Sequence, residues 1–179
     1  MKNEKILLVM PTMDHEKELI QYKEEFFSNG EMIIHASSRW DKIENYDEWL
    51  RLLESHAQFE TITDNWTVHT NFLGVRESDN KIVGMIDIRH ELINERLRNY
   101  AGHIGYAVRP TERQKGYATQ MLNQALNFCK KELNLDKVMI SCAKENPGSR
   151  KTILKAGGVF EREYTAEDGE NVQIYWIKL

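Results

Sequence analysis

The chain has 179 residues, of which 41% are hydrophobic and 29% charged, a balance that fits a single globular domain with a packed core. Its net charge of −4 argues against a nucleic-acid binder that depends on phosphate contacts. The apolar run at residues 6–10 is far too short to span a membrane. We therefore expect a cytoplasmic protein with neither nucleic acid nor membrane as a partner.

Hydrophobic periodicity and turn residues divide the first half of the chain into alternating elements. The predicted elements are a strand at 5–10, helices at 14–28 and 46–57, and a hairpin of strands at 66–76 and 81–90. Residues 31–44 lack a clean period and predict a loop with a short extended piece at 32–34. The charged stretch 91–99 is compatible with either a loop or one helical turn.

The second half continues the alternation. The predicted elements are a strand at 103–108, a helix from 117 to about 134, a strand at 137–143, a helix from 147 to 156, and a hairpin of strands at 159–165 and 171–178. Asn146 and Pro147 suit the cap and first position of the fourth helix. Together these elements predict one α/β domain over residues 1–179, with a mixed, mostly antiparallel central sheet flanked by helices.

The two cysteines of the chain, Cys129 and Cys142, each lie in an apolar pattern, one on a helix and one on a strand. Their spacing matches no metal-binding motif, and two cysteines do not make a disulfide framework. We therefore expect two buried free thiols and no metal site.

The most informative segment is Arg113-Gln114-Lys115-Gly116-Tyr117-Ala118, which follows a predicted strand and opens a long amphipathic helix. A strand that ends in such a turn directs backbone N–H groups and the positive end of the helix dipole at one point, which suits a phosphate. Gly116 lacks a Cβ, so a ligand can approach the main chain closely. One glycine in a basic turn is also typical of an ordinary helix start, and these residues alone leave both interpretations open.

The order and context of the motifs add a family resemblance. Arg113-x-x-Gly116-x-Ala118, placed after Gly105-Tyr106-Ala107-Val108-Arg109-Pro110, resembles the acyl-CoA-binding signature [Gln/Arg]-x-x-Gly-x-[Gly/Ala] of the GNAT superfamily of N-acyltransferases. The stretch 146–160, an Asn-capped helix followed by Gly-Gly and an apolar pair, is similar to the segment that follows in that family. The succession of strands and helices matches over nearly the whole chain.

The resemblance implies a fold in which the fourth and fifth strands splay apart, with acetyl-CoA as co-substrate and no metal. It implies that the pyrophosphate lies on the turn and the pantetheine arm beside the fourth strand, with the Asn-capped helix nearby. The cofactor-binding residues so implied are Ala107, Val108, Arg113, Gln114, Lys115, Gly116, Tyr117, Ala118, Thr119, Asn146 and Ser149. The implied reaction is direct transfer of an acetyl group to a primary amine of a small molecule or peptide.

That reaction needs a group to accept the proton of the amine. His103 is the first candidate, because it begins the fourth strand and an imidazole with a pKa of roughly 6.5 accepts a proton near neutrality. Glu91 is the second, and Asp87 and His90 are rivals at the end of the preceding strand. A chain of water molecules is a further alternative.

The sequence departs from the family where many members carry a tyrosine that protonates the leaving thiolate. Ile153 stands at that position, seven residues after Asn146, and has no proton to give. Either Tyr106 or Tyr164 replaces it, or the thiolate leaves unaided, which a thiol pKa of roughly 8.5 allows.

Several features remain open between two interpretations. Without an evident acid or base, a non-catalytic CoA-sensing or partner-binding module is the alternative to an enzyme. Arg150 and Lys151 suit either the outer phosphate of CoA or a solvated helix face. Trp40, in the irregular segment, is the best candidate among the tryptophans for an acceptor pocket. An open edge strand in the C-terminal part of the sheet is compatible with a homodimer.

Overall fold

The computed structural model describes residues 4–58, 67–166 and 169–179. Within these ranges the chain forms four α-helices and seven β-strands. In chain order they are β1 (Ile6–Val9), α1 (Glu16–Ser28), α2 (Tyr46–His56), β2 (His69–Arg76), β3 (Ile82–Arg89), β4 (Ile104–Val108), α3 (Tyr117–Lys131), β5 (Lys137–Ala143), α4 (Pro147–Lys155), β6 (Val159–Thr165) and β7 (Asn171–Lys178).

All seven strands belong to one sheet in the order β1-β2-β3-β4-β5-β7-β6. Neighbouring strands are antiparallel except β4 and β5, which are parallel. This confirms the predicted mixed, mostly antiparallel sheet. Because β7 lies between β5 and β6, the open edge on this side is β6, where Val159 and Phe160 are exposed.

The helices cover both faces of the sheet, as the amphipathic patterns predict. On one face α3 and α4 bury an apolar stripe that includes Met121, Leu122 and Ile153. On the other face α1 and α2 enclose an aromatic cluster of Tyr22, Phe26, Trp40, Tyr46 and Trp49. Both cysteines are buried and free, as expected.

Most element boundaries agree with the sequence interpretation to within a few residues. Residues 31–45 form no helix or strand, so the extended piece at 32–34 does not become one, and Leu97–Ala101 form a single helical turn. Helix α3 ends at Lys131, three residues early. Trp66 and the turn residues 167–168 lie outside the described residues. Among the described residues, no helix has the length and apolar character needed to cross a bilayer.

The interpretation of Trp40 as a pocket residue is wrong. Its side chain is fully buried in the cluster under α1 and α2, and its Nε1 donates to the Leu19 carbonyl at 3.1 Å. Lys23 lies over the Trp40 ring, 3.9 Å from its centroid, and donates to the Trp40 carbonyl at 3.1 Å. Specific contacts therefore hold Trp40 in the core, although the backbone around it has no repeating pattern.

The parallel contact between β4 and β5 is the irregular point of the sheet. Both strands lie wholly within the described residues, and their ladder holds one pair, Ile104 with Ile140. His103 extends the contact backwards, because its N–H donates to the Met139 carbonyl at 2.8 Å and its Nδ1 accepts from the Met139 N–H at 2.9 Å. Beyond Ile104 the two strands no longer pair, so the sheet opens between them.

Gly102 brings the chain into this contact. Its φ of +64° is in the left-handed region, and a Cβ at this position would meet the Met139 carbonyl oxygen at 2.6 Å. Gly30, at the end of α1, also has a positive φ of +81° but has nothing within 4 Å of a Cβ position.

We therefore expect Gly102→Ala to lower the free energy of unfolding by more than Gly30→Ala does. Gly30→Ala carries a backbone penalty of about 1 kcal/mol for its positive φ. Gly102→Ala carries at least that penalty, because its φ of +64° with a ψ of −166° suits glycine almost alone, and it adds an overpacking cost of about 1–3 kcal/mol. Urea unfolding of the two variants measures the difference. Equal destabilisation would show that β4 and β5 do not approach as closely at Met139 as described.

Candidate functional site

The segment after β4 forms a tight backbone turn at the open end of the gap. A 3₁₀ turn, Pro110–Glu112, follows the strand, and Arg113 is extended. Gln114 has a φ of +62° and Gly116 a φ of +85°, and Gly116 then caps the N-terminus of α3. Two left-handed residues so close together turn successive N–H groups outward, which is the geometry of an anion-binding concavity.

The N–H groups of this turn have no acceptor in the described protein. No hydrogen bond joins any described residue to the N–H groups of residues 114–119, and the first intrahelical bond runs from Gln120 N–H to the Gly116 carbonyl at 3.2 Å. The first amides of a helix normally lack intrahelical partners, and here the preceding loop amides extend that run. Six consecutive donors at a helix N-terminus are an arrangement that could hold a phosphate or diphosphate.

The two cationic side chains of the turn are already paired. Lys115 Nζ lies 2.9 Å from Glu112 Oε2. Arg113 binds both Glu31 oxygens at 2.7 Å and donates from Nε to the Val108 carbonyl at 3.1 Å. The attraction for an anion therefore depends on the backbone amides and the helix dipole, and these side chains chiefly fix the shape of the turn.

Two carboxylate networks, one around the buried Glu112 and one around the half-buried Glu25, hold the turn against the rest of the domain. Glu112 is 3% exposed and lies 2.9 Å from the nitrogens of Arg76, Lys81 and Lys115, which hold its pKa below the usual range despite burial. On the other side, Glu25 of α1 accepts from Arg109 Nε at 2.6 Å and from the Thr111 N–H at 2.9 Å. These contacts join the turn to β2, β3 and α1.

The register of β4 decides which of its backbone groups face the gap. Arg89 N–H donates to the His103 carbonyl and Arg109 N–H to the Val83 carbonyl, so odd-numbered residues of β4 bond to β3. The amides of Tyr106 and Val108 consequently point into the gap. Ala107 points its amide towards β3, and its carbonyl also accepts from the Tyr22 hydroxyl at 3.5 Å.

The Asn-capped helix α4 closes the far side of the gap. Asn146 Oδ1 accepts from the Ser149 N–H at 3.0 Å, as the sequence predicts for a cap. The Tyr106 hydroxyl reaches across to Ser149 Oγ at 2.8 Å. Burial raises the pKa of Tyr106 to about 12, so this phenol keeps its proton at neutral pH. Ile153 is fully buried in the core and offers no donor.

His103 is 7% exposed and already has a structural task. Because a backbone N–H can only donate, the Met139 N–H bond requires Nδ1 to be unprotonated. Burial lowers the pKa of His103 to about 4, so the ring is neutral near pH 7. A proton on Nδ1 would break the contact that joins β4 to β5, and this geometry argues against His103 as the proton acceptor.

The other carboxylate and imidazole candidates lie around the end of β3 and differ in exposure. Glu91 is exposed beyond the end of β3. His90 Nε2 is 2.9 Å from Thr70 Oγ1, and burial lowers the pKa of His90. Asp87 is 5% exposed and lies directly across from Gly105 of β4, beside the closed end of the gap. Among the described residues no three such side chains are arranged to hold a metal ion.

Comparison with known families identifies this arrangement. A model of the acetyltransferase (GNAT) domain matches residues 6–159, which is most of the chain. The chain belongs to the GNAT acetyltransferase family. This confirms the resemblance carried by the turn, and it assigns the protein to the acetyltransferase enzymes. A search of curated proteins finds no match.

Solved structures agree with the GNAT fold. A chimeric spermidine N-acetyltransferase SpeG from Vibrio cholerae and hSSAT superposes with a TM-score of 0.66 at 22% identity, covering 97% of this chain and 95% of that one. The microcin C7 self-immunity acetyltransferase MccE, in complex with acetyl-CoA and AMP, gives 0.70 at 19% identity, covering 98% and 93%. A putative ribosomal-protein-serine acetyltransferase from Vibrio cholerae gives 0.66 at 18% identity, covering 98% and 94%.

Sequence reasoning missed three features of this GNAT site. It named Ala107 and Val108 beside the arm and left out Tyr106; the strand register turns the Tyr106 and Val108 amides into the gap and the Ala107 amide towards β3. It overlooked Asn71 of β2, a buried polar residue that lies directly across from Asp87, and the one signal of it in the sequence is a polar residue within an apolar strand. It also named Gly105 only as part of the motif and assigned it no role of its own. Arg150 and Lys151 are exposed on α4, which suits a solvated face and leaves the phosphate interpretation untested.

The titration of His103 provides a test of its structural role. Its pKa is lowered from 6.5 to about 4 in the folded protein, so between these values the unfolded chain binds a proton that the folded chain does not. The free energy of unfolding therefore falls as the pH drops through this window. His103→Asn retains an acceptor oxygen near the position of Nδ1 but cannot titrate, so the stability advantage of the wild type over the variant should shrink between pH 6.5 and 4.

Urea unfolding at a series of pH values measures this difference, and contributions from other histidines cancel in it. Parallel curves for the two proteins would mean that His103 is not buried and neutral. Turnover by His103→Asn comparable to the wild type at pH 8 would support the structural role, whereas its loss in a folded variant would restore His103 as the base.

Proposed function

We propose that this protein is an acetyl-CoA-dependent N-acetyltransferase that transfers the acetyl group directly to a primary amine of a small molecule or peptide. The observation that carries the proposal is the run of unpartnered amides at residues 114–119, located at the open end of the gap between β4 and β5. The complex of MccE with acetyl-CoA supports the choice of donor, since that protein shares the fold.

The residues of the turn would hold the diphosphate through their N–H groups. Gln114, Lys115, Gly116, Tyr117, Ala118 and Thr119 supply these donors, and Arg113 shapes the turn through Glu31. The pantetheine amides would pair with the Tyr106 and Val108 backbone, as an added strand pairs with an open sheet edge. Ala107 would contribute packing, and Asn146 and Ser149 would form the opposite wall.

Acetyl-CoA supplies an activated thioester. In the reaction the ammonium group first loses one proton, which passes to a protein carboxylate and on to water, so that the nitrogen has a free lone pair. The amine nitrogen then bonds to the acyl carbon, the carbon–sulfur bond breaks, the nitrogen loses a second proton and the sulfur gains one. Backbone N–H groups on the gap side of β4 are the nearest fixed donors for the developing oxyanion. The closed end of the gap, at Ile104, fixes how far the reacting end of the arm can enter.

Two side chains suit the proton movements better than the sequence candidates did. Asp87 is the buried carboxylate opposite Gly105, and we assign it rather than His103 or Glu91 to the amine side. Tyr106 remains protonated at neutral pH and faces α4, so it would donate to the leaving sulfur in place of the missing tyrosine at Ile153.

The acceptor is proposed as a cationic primary amine. The negative net charge of the chain favours such a ligand, and the SpeG chimera among the similar structures is named as a spermidine N-acetyltransferase. Membership in an acetyltransferase family supports an enzyme over the alternative of a non-catalytic CoA-binding module.

A pair of substitutions at Gly116 tests the proposal. Asp and Asn tolerate the left-handed backbone of Gly116 better than other residues and are nearly the same size. Gly116→Asp places a negative charge against the diphosphate, so we expect it to weaken CoA binding by about a hundredfold relative to Gly116→Asn. Isothermal titration of the folded proteins with CoA measures this ratio.

Turnover completes the test. Free thiol should be released from acetyl-CoA when a panel of polyamines, amino acids and aminoglycosides is added, and not in the absence of an amine. Equal CoA affinity of Gly116→Asp and Gly116→Asn would show that the turn is not the diphosphate site. Tight CoA binding without turnover on any amine would favour the non-catalytic module.

A further inference from the structure

A polar cluster lies on the α1–α2 face of the sheet, outside the turn and gap described above. Asn71 of β2 and Asp87 of β3 are each 5% exposed and lie directly opposite one another. His90 N–H donates to the Val68 carbonyl, so the Asn71–Asp87 pair is one of the alternate pairs that exchange no backbone hydrogen bonds. Side chains of such pairs approach closely, with Cβ atoms about 4.5–5.5 Å apart.

One side-chain oxygen of each residue is buried without a hydrogen-bond donor. These are Asn71 Oδ1 and Asp87 Oδ1. The Asn71 amide nitrogen is engaged on its other side, where it donates to the Ala36 carbonyl at 2.7 Å and Ser38 Oγ at 3.3 Å. Asp87 uses its second oxygen, Oδ2, to meet Arg89 at 3.1 Å. Buried acceptors are normally satisfied, so two neighbouring exceptions indicate a missing donor.

His69, the histidine of the cluster, makes no hydrogen bond to either oxygen. His69 Nδ1 lies 3.2 Å from the Thr67 carbonyl, which can only accept, so Nδ1 carries the ring proton. Nε2 lies 3.3 Å from Ser38 Oγ and 3.8 Å from Asp87 Oδ1, and the second distance is beyond the range of a hydrogen bond.

The cluster adjoins β4 at Gly105, where the Arg89 guanidinium and the Ala36 side chain pack. Asp87 pairs with Gly105 across the β3–β4 ladder, and Gly105 is half-buried. A Cβ at Gly105 would make only ordinary contacts, with Arg89 at 3.5 Å and Ala36 at 3.7 Å. The next residue towards the N-terminus is Ile104, where the gap between β4 and β5 closes. The two oxygens therefore lie beside the end of the gap where acyl transfer would occur.

We infer that Asn71 Oδ1 and Asp87 Oδ1 form the subsite that binds the protonated primary amine of the acceptor. An ammonium group has three N–H donors and no acceptor, which complements two donor-less oxygens, and its charge complements the carboxylate. The inference rests on the proposed function, and it names the acceptor class as an aliphatic primary ammonium. Asp87 is thereby both the recognition group and the nearest proton acceptor.

Residues 36–39 form a segment that covers the Asn71–Asp87 pair. Ala36, Ser38 and Arg39 all have positive φ values, 60°, 47° and 68°, although none is glycine. Asn71 holds this covering segment in place through its hydrogen bonds to Ala36 and Ser38. A ligand that binds Asn71 would therefore also affect the position of the segment.

The experiment compares two cations with the same charge and the same butyl chain, n-butylammonium and n-butyltrimethylammonium chloride, titrated into the protein alone. The quaternary head group is bulkier and has no N–H donor. The Asn71 side-chain amide resonances are the reporter, read by ¹H–¹⁵N NMR, and CoA is titrated into a parallel sample. We expect n-butylammonium to shift the Asn71 signals saturably and the quaternary cation, which has no N–H donor, to leave them unchanged.

Asp87→Asn should weaken n-butylammonium binding by about tenfold or more, because it removes a charged acceptor at nearly constant shape. Glu91→Gln, which neutralises an exposed carboxylate beyond the end of β3, should leave the affinity for n-butylammonium unchanged. Gly105→Ala, which adds a methyl group that the surroundings accommodate, provides a second variant that narrows the approach and should also weaken binding.

Equal responses to both cations, no response to n-butylammonium, or unchanged affinity in Asp87→Asn would each overturn the inference, with ordered water as the donor to the two oxygens. CoA binding separates this failure from that of the proposed function. A protein that binds CoA but not the ammonium has lost only the acceptor subsite, whereas one that fails to bind CoA has lost the donor site.

Discussion

The divergence of β4 from β5 is the constraint on which the rest of the site depends. Parallel strands normally pair along their length, yet here the ladder holds one pair, Ile104 with Ile140. His103 secures the closed end by bonding twice to Met139. Beyond that point the backbone groups of β4 that face β5 need another partner. A flexible ligand with amide groups of its own can satisfy them, which an ordinary side-chain pocket would not require.

The open end of the gap meets a turn whose positive potential comes from the backbone. Arg113 and Lys115 are paired with Glu31 and Glu112, so their charges are largely balanced within the protein. The amides of residues 114–119 remain, and they are fixed in direction by the left-handed residues Gln114 and Gly116. These ion pairs fix the shape of the turn and so preorganise a neutral set of donors, which under the proposed function would lower the entropy cost of binding a diphosphate.

Local features of the site could be predicted from the sequence, and features set by strand pairing could not. The turn at Gly116 and the Asn146 cap depend on neighbouring residues, so motif and spacing sufficed. The role of His103 depends on Met139, 36 residues away, and no property of the histidine itself reveals that contact. The choice between Ala107 and Tyr106 depends on which face of β4 bonds to β3, which periodicity alone leaves undetermined. Asn71 becomes notable only when register brings it opposite Asp87.

A crystal structure of the protein with bound CoA tests the central claim most directly. The account predicts the diphosphate on the amides of residues 114–119 and the thiol-bearing arm between β4 and β5, paired with Tyr106 and Val108. The thiol would end near Ile104, on the sheet beside Gly105. A diphosphate bound elsewhere, or an arm lying outside a β4–β5 ladder that has closed along its length, would contradict the account.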